Sequence, residues 1–214
     1  MRLIVIRHGE TPNNVEDRFT GQSDVPLSLA GEQQIDVLGS YLATEHFDAL
    51  VSSDLQRARV TALAIARYHK LAVEEDAQLR ELSLGKWEGL TVAEVQAYDP
   101  VTLKNWRADP SRFAPEGGET LIQFRARIVS ALDRWFARHP HGTVAWVAHA
   151  GLIGVLICHV LEIDLNRRWQ FHHENASVTE IRFEQGRTSL VRLNETSFLH
   201  YVKRSSELLS TVTL

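Results

Sequence analysis

Cysteine is nearly absent: Cys158 is the only one, so no disulfide can form within the chain. It sits in the apolar run Leu152 to Leu161, where a reduced thiol behaves as a small hydrophobe. That run is too short to cross a bilayer, and Leu3 to Ile6 is too brief for the apolar region of a signal peptide, so a reducing cytoplasm is the expected location. Lysine is scarce, 4 residues against 19 arginines, an imbalance that codon composition explains better than the aptness of Arg for gripping carboxylate or phosphate does. Positive charge is not in surplus either. With 23 Lys and Arg against 27 Asp and Glu the net charge is −4, so neither nucleic acid nor an anionic membrane is attracted globally, and any bound anion must be held locally. There is no repeat, low-complexity tract or Gly/Ser/Pro-rich linker. No G-x-G-x-x-G follows a candidate strand, which excludes a dinucleotide oxidoreductase built on that motif.

What is present suits one globular core. The 214 residues are 44% hydrophobic and 23% charged, and a single domain over 1–214 is expected. Strand-like and helix-like segments alternate from end to end, which predicts a three-layer α/β fold with a mostly parallel central sheet and helices on both faces. Leu3-Ile4-Val5-Ile6, Phe47 to Val51 and Val144 to Val147 read as buried strands, and Val178 to Phe183 with Leu190 to Leu193 as a terminal hairpin or a pair of neighbours. Ser28 is a candidate N-cap for a helix over Leu29 to Leu42. Ser53-Asp54-Leu55-Gln56, Thr91-Val92-Ala93-Glu94 and Thr120-Leu121-Ile122-Gln123 are capping-box patterns, each predicting a helix start. Pro100, Pro110 and Pro115 cluster with Gly117 and Gly118, so a loop-rich excursion is expected near 90–118. The last ten residues carry little periodicity.

Ligands of open α/β sheets bind beyond the carboxyl ends of strands. Three such ends carry notable side chains: Arg7-His8-Gly9-Glu10-Thr11, Ser52 through Arg57, and Ala148-His149-Ala150-Gly151. If these strands lie side by side, Arg7, His8, Arg57 and His149 meet around one point and describe an anion pocket. Taken singly, each reads as readily as a solvated loop residue; the shared placement is what marks them. A helix opening at Ser53 would add free backbone N–H groups, and an Arg57 in its first turn is repelled there unless an anion is present.

These segments resemble the histidine phosphatase superfamily, also called phosphoglycerate mutase-like. Leu3 through Thr11, followed by Asn14, Arg18, Gly21, Asp24, Leu27 and Gly31, is similar to its opening signature with the RHG triplet. Ser52 through Ala58 resembles its second motif, Glu81 through Gly89 its third, and Pro115 through Glu119 and Val147 through Gly151 complete the order. The resemblance implies that His8 attacks phosphorus and becomes a phosphohistidine, while Arg7, Arg57 and His149 hold the transferring phosphoryl group and Asn14 adds a hydrogen bond. Thr20, Gly21 and Ala150 join them in the expected phosphate site. Glu81 resembles the family's proton donor to the leaving oxygen, and the flanking Leu79, Leu82 and Leu84 would bury it in part. Nearby cations should lower the pKa of His8 and keep it neutral. Outside the motif, Glu81 would read as an exposed acid paired with Arg80 or Lys86. No metal or other cofactor is expected, since His172-His173-Glu174 lacks further ligands at a recognisable spacing.

Phosphomonoester hydrolysis and phosphoryl transfer between hydroxyls of a phosphoglycerate share this site in the family. Its mutases resemble one another in a Lys- and Arg-rich stretch after the proton-donor motif, whereas Trp87 to Gly118 holds only Lys104, Arg107 and Arg112. The expected function is therefore hydrolysis of a small phosphorylated metabolite. Cofactor-dependent phosphoglycerate mutation is the alternative, and a non-catalytic phospho-ligand binding module the alternative of another class, opposed by the intact His8 and Glu81. The metabolite is the expected partner, with no nucleic acid and no membrane; a homodimer is left open. The segment around His149 lacks the Ser and the first Gly common there in relatives. Phe198 stands where many relatives carry a histidine associated with substrate recognition in phosphoserine phosphatases, which argues against phosphoserine and for a more apolar leaving group. The five tryptophans are expected in the core or the pocket wall.

Overall fold

The computed structural model describes residues 1–199. Its strands are β1 (Arg2–Arg7), β2 (Ala49–Ser52), β3 (Val73–Glu75), β4 (Thr143–Ala148), β5 (Val178–Glu184) and β6 (Arg187–Glu195), in one sheet of order β3-β2-β4-β1-β5-β6. Because side chains alternate along a strand, β1 feeds two cores. Leu3 and Val5 pack beneath α6 (Leu121–Arg138) and α7 (Ala150–Val160), where Phe124, Ile128, Leu152 and Leu156 are fully buried. Ile4 and Ile6 pack beneath α2 (Leu29–Leu42) and α3 (Gln56–Ala66), with Leu38, Leu42, Ala62 and Ile65. Helices thus cover both faces, as expected.

The sheet is mixed, which corrects the expectation of a mostly parallel one. β3, β2, β4 and β1 run parallel, while β5 is antiparallel to β1 and β6 to β5. The cause lies in the connection: only Gln185 and Gly186 separate β5 from β6, both at positive φ (51° and 72°), a primed turn that can only reverse the chain. Of the short elements, β3 is an exposed, acidic edge strand and α1 (Pro12–Val15) a single turn; neither carries a periodicity that a sequence reading could detect.

Hydroxyl caps occur at three of the four places where the pattern asks for them, with Ser28, Thr91 and Thr120 accepting from Gly31 N, Glu94 N and Gln123 N. The box at Ser53 does not form. α3 begins at Gln56 after Leu55, and a distant side chain caps it: Asp24 Oδ1 accepts Gln56 N at 2.7 Å. The 90–118 excursion also differs from expectation, since it holds α4 (Val92–Tyr98) and α5 (Pro100–Ala108). Pro100 does not break α5 because it occupies the first helical position, where its missing N–H is not needed, and Asp99 caps the turn through Thr102 N. Among the described residues no helix is long and apolar enough to cross a membrane.

Candidate active site

β2, β4 and β1 are adjacent and parallel, so their carboxyl ends bring the three predicted segments together. Arg7 ends β1, His8 N donates to Ala148 O at 3.0 Å, and Ser53 N donates to Val147 O at 2.9 Å. Arg57 reaches in from the first turn of α3. A cavity of about 230 Å³ opens here, and Arg7, His8, Asn14, Arg57 and Glu81 line it together with Thr20, Gly21 and Ala150. His149 is fully buried beside it, its ring centroid 5.1 Å from that of His8.

The electrostatics suit an anion. His8 Nδ1 lies 2.7 Å from Gly9 O, so Nδ1 carries the proton and donates, leaving a lone pair on Nε2, to which Arg57 Nε donates at 3.3 Å. The His8 pKa is pushed well below 6.5, chiefly by burial and further by Arg57 and Arg7, so the expected cationic effect is real but second to desolvation. Burial also pushes Arg57 down to about 10, which leaves it charged at neutral pH. Its terminal nitrogens donate to Ser23 O and Gly21 O, each at 2.8 Å, and this relieves the repulsion expected at a helix N-terminus. Burial lowers the His149 pKa well below 6.5 too; its Nε2 meets Ser53 Oγ at 3.0 Å, so Ser53 orients a ring instead of capping a helix. Arg7 Nη1 donates to His173 O at 2.6 Å, whereas buried Arg7 Nε and His149 Nδ1 have no partner. A buried donor left unpaired costs about 1–3 kcal/mol, so Arg7 Nε is a group that an anion in the cavity can satisfy. Asn14 Oδ1 accepts from Thr11 N and Asn175 Nδ2, leaving its N–H₂ for a ligand.

Glu81 is not the partner of Arg80 or Lys86. Arg80 makes a two-pronged pair with Asp54 at 2.7 and 2.6 Å, and Lys86 pairs with Glu116 at 2.7 Å. The Glu81 carboxylate instead accepts Leu82 N at 2.8 Å and Gly151 N at 2.9 Å, between buried Leu79, Leu82 and Leu84. A Cβ at residue 151 would fall 2.3 Å from Glu81 Oε1, so any larger residue would push the carboxylate out of this position. From α6, Arg127 donates to the carbonyls of Gln78, Arg80 and Glu81 at 2.8, 2.7 and 2.7 Å and pairs with Glu119, fastening the segment that carries the acid.

Some of these groups leave no trace in the sequence pattern. Glu119 closes the Pro115–Glu119 motif, but Arg127 is one polar residue of an amphipathic helix and gives no signal. Asn175, which donates to both His8 O and Asn14 Oδ1, lies in a loop without a motif. Arg168 lines the cavity without a sequence signal and Trp106 does so as one of the tryptophans expected in the core or the pocket wall, whereas Lys104, Arg107 and Arg112 do not line it. Trp87 and Trp146 are fully buried and Trp135 nearly so, while Trp169 is exposed. Phe198 is corrected as a specificity residue: it is 6% exposed and stacks on Tyr41 of α2 with centroids 4.2 Å apart, in the core beneath α2 and outside the cavity lining. Among the described residues no cluster of three or more His, Cys, Asp or Glu could hold a metal.

Known proteins are similar to this chain in sequence and in fold. Residues 3–196 match the family described as the histidine phosphatase superfamily (branch 1). The chain is 34% identical over 199 residues to phosphoserine phosphatase 1 of Hydrogenobacter thermophilus, covering 93% of this chain and 94% of that one. It is 38% identical over 170 residues to glucosyl-3-phosphoglycerate phosphatase of Mycobacterium tuberculosis, covering 76% of each. Its fold is similar to that of the alpha-ribazole phosphatase from Shigella flexneri, with a TM-score of 0.85 and 28% identity over 91% of this chain and 96% of that one.

Proposed function

The chain belongs to the histidine phosphatase superfamily and is a phosphatase of small phosphorylated metabolites, and we propose that it works through a phosphohistidine on His8. The observation that carries this reading is His8 Nε2, whose lone pair is left free by the tautomer that the Nδ1 bond to Gly9 O fixes, whose ring is kept neutral by burial and by Arg57 and Arg7, and which has His149 beside it.

The His8 Nε2 lone pair attacks phosphorus and forms an N–P bond as the bond from phosphorus to the leaving oxygen breaks. Arg7, Arg57, His149 and the Asn14 amide stabilise the charge on the equatorial oxygens, and the Arg57 N–H that now faces Nε2 turns to one of them. Glu81 gives its proton to the leaving oxygen. It then takes one from the water that attacks the phosphohistidine, which releases phosphate and restores neutral His8.

Hydrolysis is preferred to mutation because the relatives are named as phosphatases and none of Lys104, Arg107 and Arg112, the basic residues that follow the proton-donor motif, lines the cavity. Phosphoserine and glucosyl-3-phosphoglycerate, the substrates for which the relatives are named, are the first to assay, and the position of Phe198 removes the argument against phosphoserine. A buried, free Cys158 fits a reducing cytoplasm. The test is to supply 3-phosphoglycerate and follow both products. Release of inorganic phosphate exceeds transfer to the neighbouring hydroxyl; transfer that is equal or faster, and stimulated by a bisphosphorylated primer, would reverse the reading.

A further inference from the structure

Arg57 owes its aim to a turn that belongs to no helix or strand. A guanidinium has five N–H groups. In Arg57 three of them donate to His8 Nε2, Ser23 O and Gly21 O, which leaves two for a phosphoryl group in the cavity that Arg57 lines. Two carbonyl oxygens aimed at one cation repel each other, so the turn over 21–23 needs a hold from its other side.

Glu88 supplies that hold. Its Oε1 accepts Gln22 N at 2.9 Å and Leu84 N at 3.1 Å, and its Oε2 accepts Ser23 Oγ at 2.7 Å. The turn therefore shows its donors to a carboxylate and its carbonyls to a guanidinium. Gly21 permits this approach: its φ is 52°, and a Cβ there would fall 2.2 Å from Glu88 Oε1. Gln22 Nε2 also donates to Glu81 O at 3.1 Å, which seats the turn on the segment that carries the acid. Arg80 and Lys86, cations close to Glu88 in the chain, pair with Asp54 and Glu116 instead. Burial lowers the Arg57 pKa, and Glu88 opposes that fall together with Glu81 and Asp24.

We propose that Glu88 is a positioning residue for phosphoryl transfer: it fastens the turn whose carbonyls aim Arg57, so that two guanidinium N–H groups stand ready for the phosphoryl oxygens. It acts through Arg57 and not as a second acid, since it does not line the cavity. Its part in turnover rests on the hydrolase reading, whereas its hold on Arg57 can be measured by binding alone.

Vanadate affinity by calorimetry, and kcat/KM on an alkyl and an activated aryl phosphate, are measured for Glu88→Ala and Glu88→Gln, each with Arg57 intact and as Arg57→Gln. With Arg57 intact, Glu88→Ala weakens vanadate binding and lowers kcat/KM by about tenfold to a hundredfold, equally on both esters, because Arg57 serves the phosphoryl group and not the leaving oxygen. In the Arg57→Gln background the same substitution costs less than about twofold. Glu88→Gln keeps most of the affinity and rate, since its amide oxygen still accepts Gln22 N and Leu84 N and its N–H₂ meets a Ser23 hydroxyl able to accept. Equal losses in both Arg57 backgrounds, the result of general destabilisation, would overturn the proposal, and so would a loss confined to the alkyl ester, the result of a displaced Glu81. If Glu88→Ala does not fold, Ser23→Ala removes one of the bonds to the carboxylate and decides the matter by the same pattern: a smaller loss that depends on Arg57 is expected, and no loss contradicts it. Vanadate binding that depends on Glu88 through Arg57, in protein that releases no phosphate from any ester, keeps the hold on Arg57 and sinks the hydrolase reading.

Discussion

Arg57 Nε donates to His8 Nε2 across 3.3 Å, on the opposite side of the ring from the Nδ1 proton that Gly9 O accepts. One cation therefore marks the nitrogen that must stay unprotonated and helps to keep it so. The His8 ring should titrate well below 6.5 in an NMR pH series of the free protein, and Arg57→Gln should move that titration upward by removing the nearest positive charge. A His8 titration at 6.5, or one unmoved by the substitution, would remove Arg57 from this role.

Stability should follow the same groups. His8, His149 and His173 are all buried with lowered pKa, His173 to about 4, whereas in the unfolded chain each protonates near 6.5. Below 6.5 the unfolded state binds protons first, so the stability present above 6.5 is lost as pH falls toward the folded-state values. His173 alone accounts for about 3 kcal/mol between 6.5 and 4 at most. The thermal midpoint should drop through that window, and His173→Phe should flatten the drop; an equal slope in the variant would contradict this.

Glu81 should matter in proportion to the basicity of the leaving group. An alkoxide needs its proton and a nitrophenolate hardly does, so Glu81→Gln should slow an alkyl phosphate by about 10²-fold to 10⁴-fold and an activated aryl phosphate much less. Equal losses on both substrates, in a folded variant, would leave the acid unidentified.

Arg127 should act through Glu81. Removing its guanidinium frees the carbonyls of Gln78, Arg80 and Glu81 and leaves Glu119 without its partner. Arg127→Met should lower kcat on alkyl phosphates by about tenfold to a hundredfold and spare aryl phosphates, the pattern of a misplaced acid. Arg127→Lys should recover little, because one ammonium cannot reach three carbonyls and a carboxylate. A loss of the same size on both substrate types would mean that Arg127 serves stability alone.

The candidate site is legible in the sequence because its residues sit at or directly after strand ends, where local order in the chain becomes proximity in space: Arg7 at the end of β1 and His8 after it, Ser53 after β2, His149 after β4. What supports them is not, since each support crosses long sequence separations. Asp24 caps α3 from 32 residues away, and Arg127 grips the Glu81 segment from another helix. Ser53 shows how a local rule loses: its hydroxyl matches a capping pattern, but the tertiary fold turns it toward His149. Phe198 invites a reading from its neighbours in the chain yet belongs to the core beneath α2, and the antiparallel β5 and β6 are set by a two-residue turn that the strand patterns alone do not orient.

The phosphohistidine itself is the most direct test. Protein mixed briefly with a ³²P-labelled phosphomonoester and quenched in alkali should carry label that is stable to base and lost in acid, and peptide mapping should place it on His8 Nε2. His8→Ala should carry none and turn over no substrate. Label on Ser52 or Ser53, label stable to acid, or full activity in His8→Ala would contradict the account.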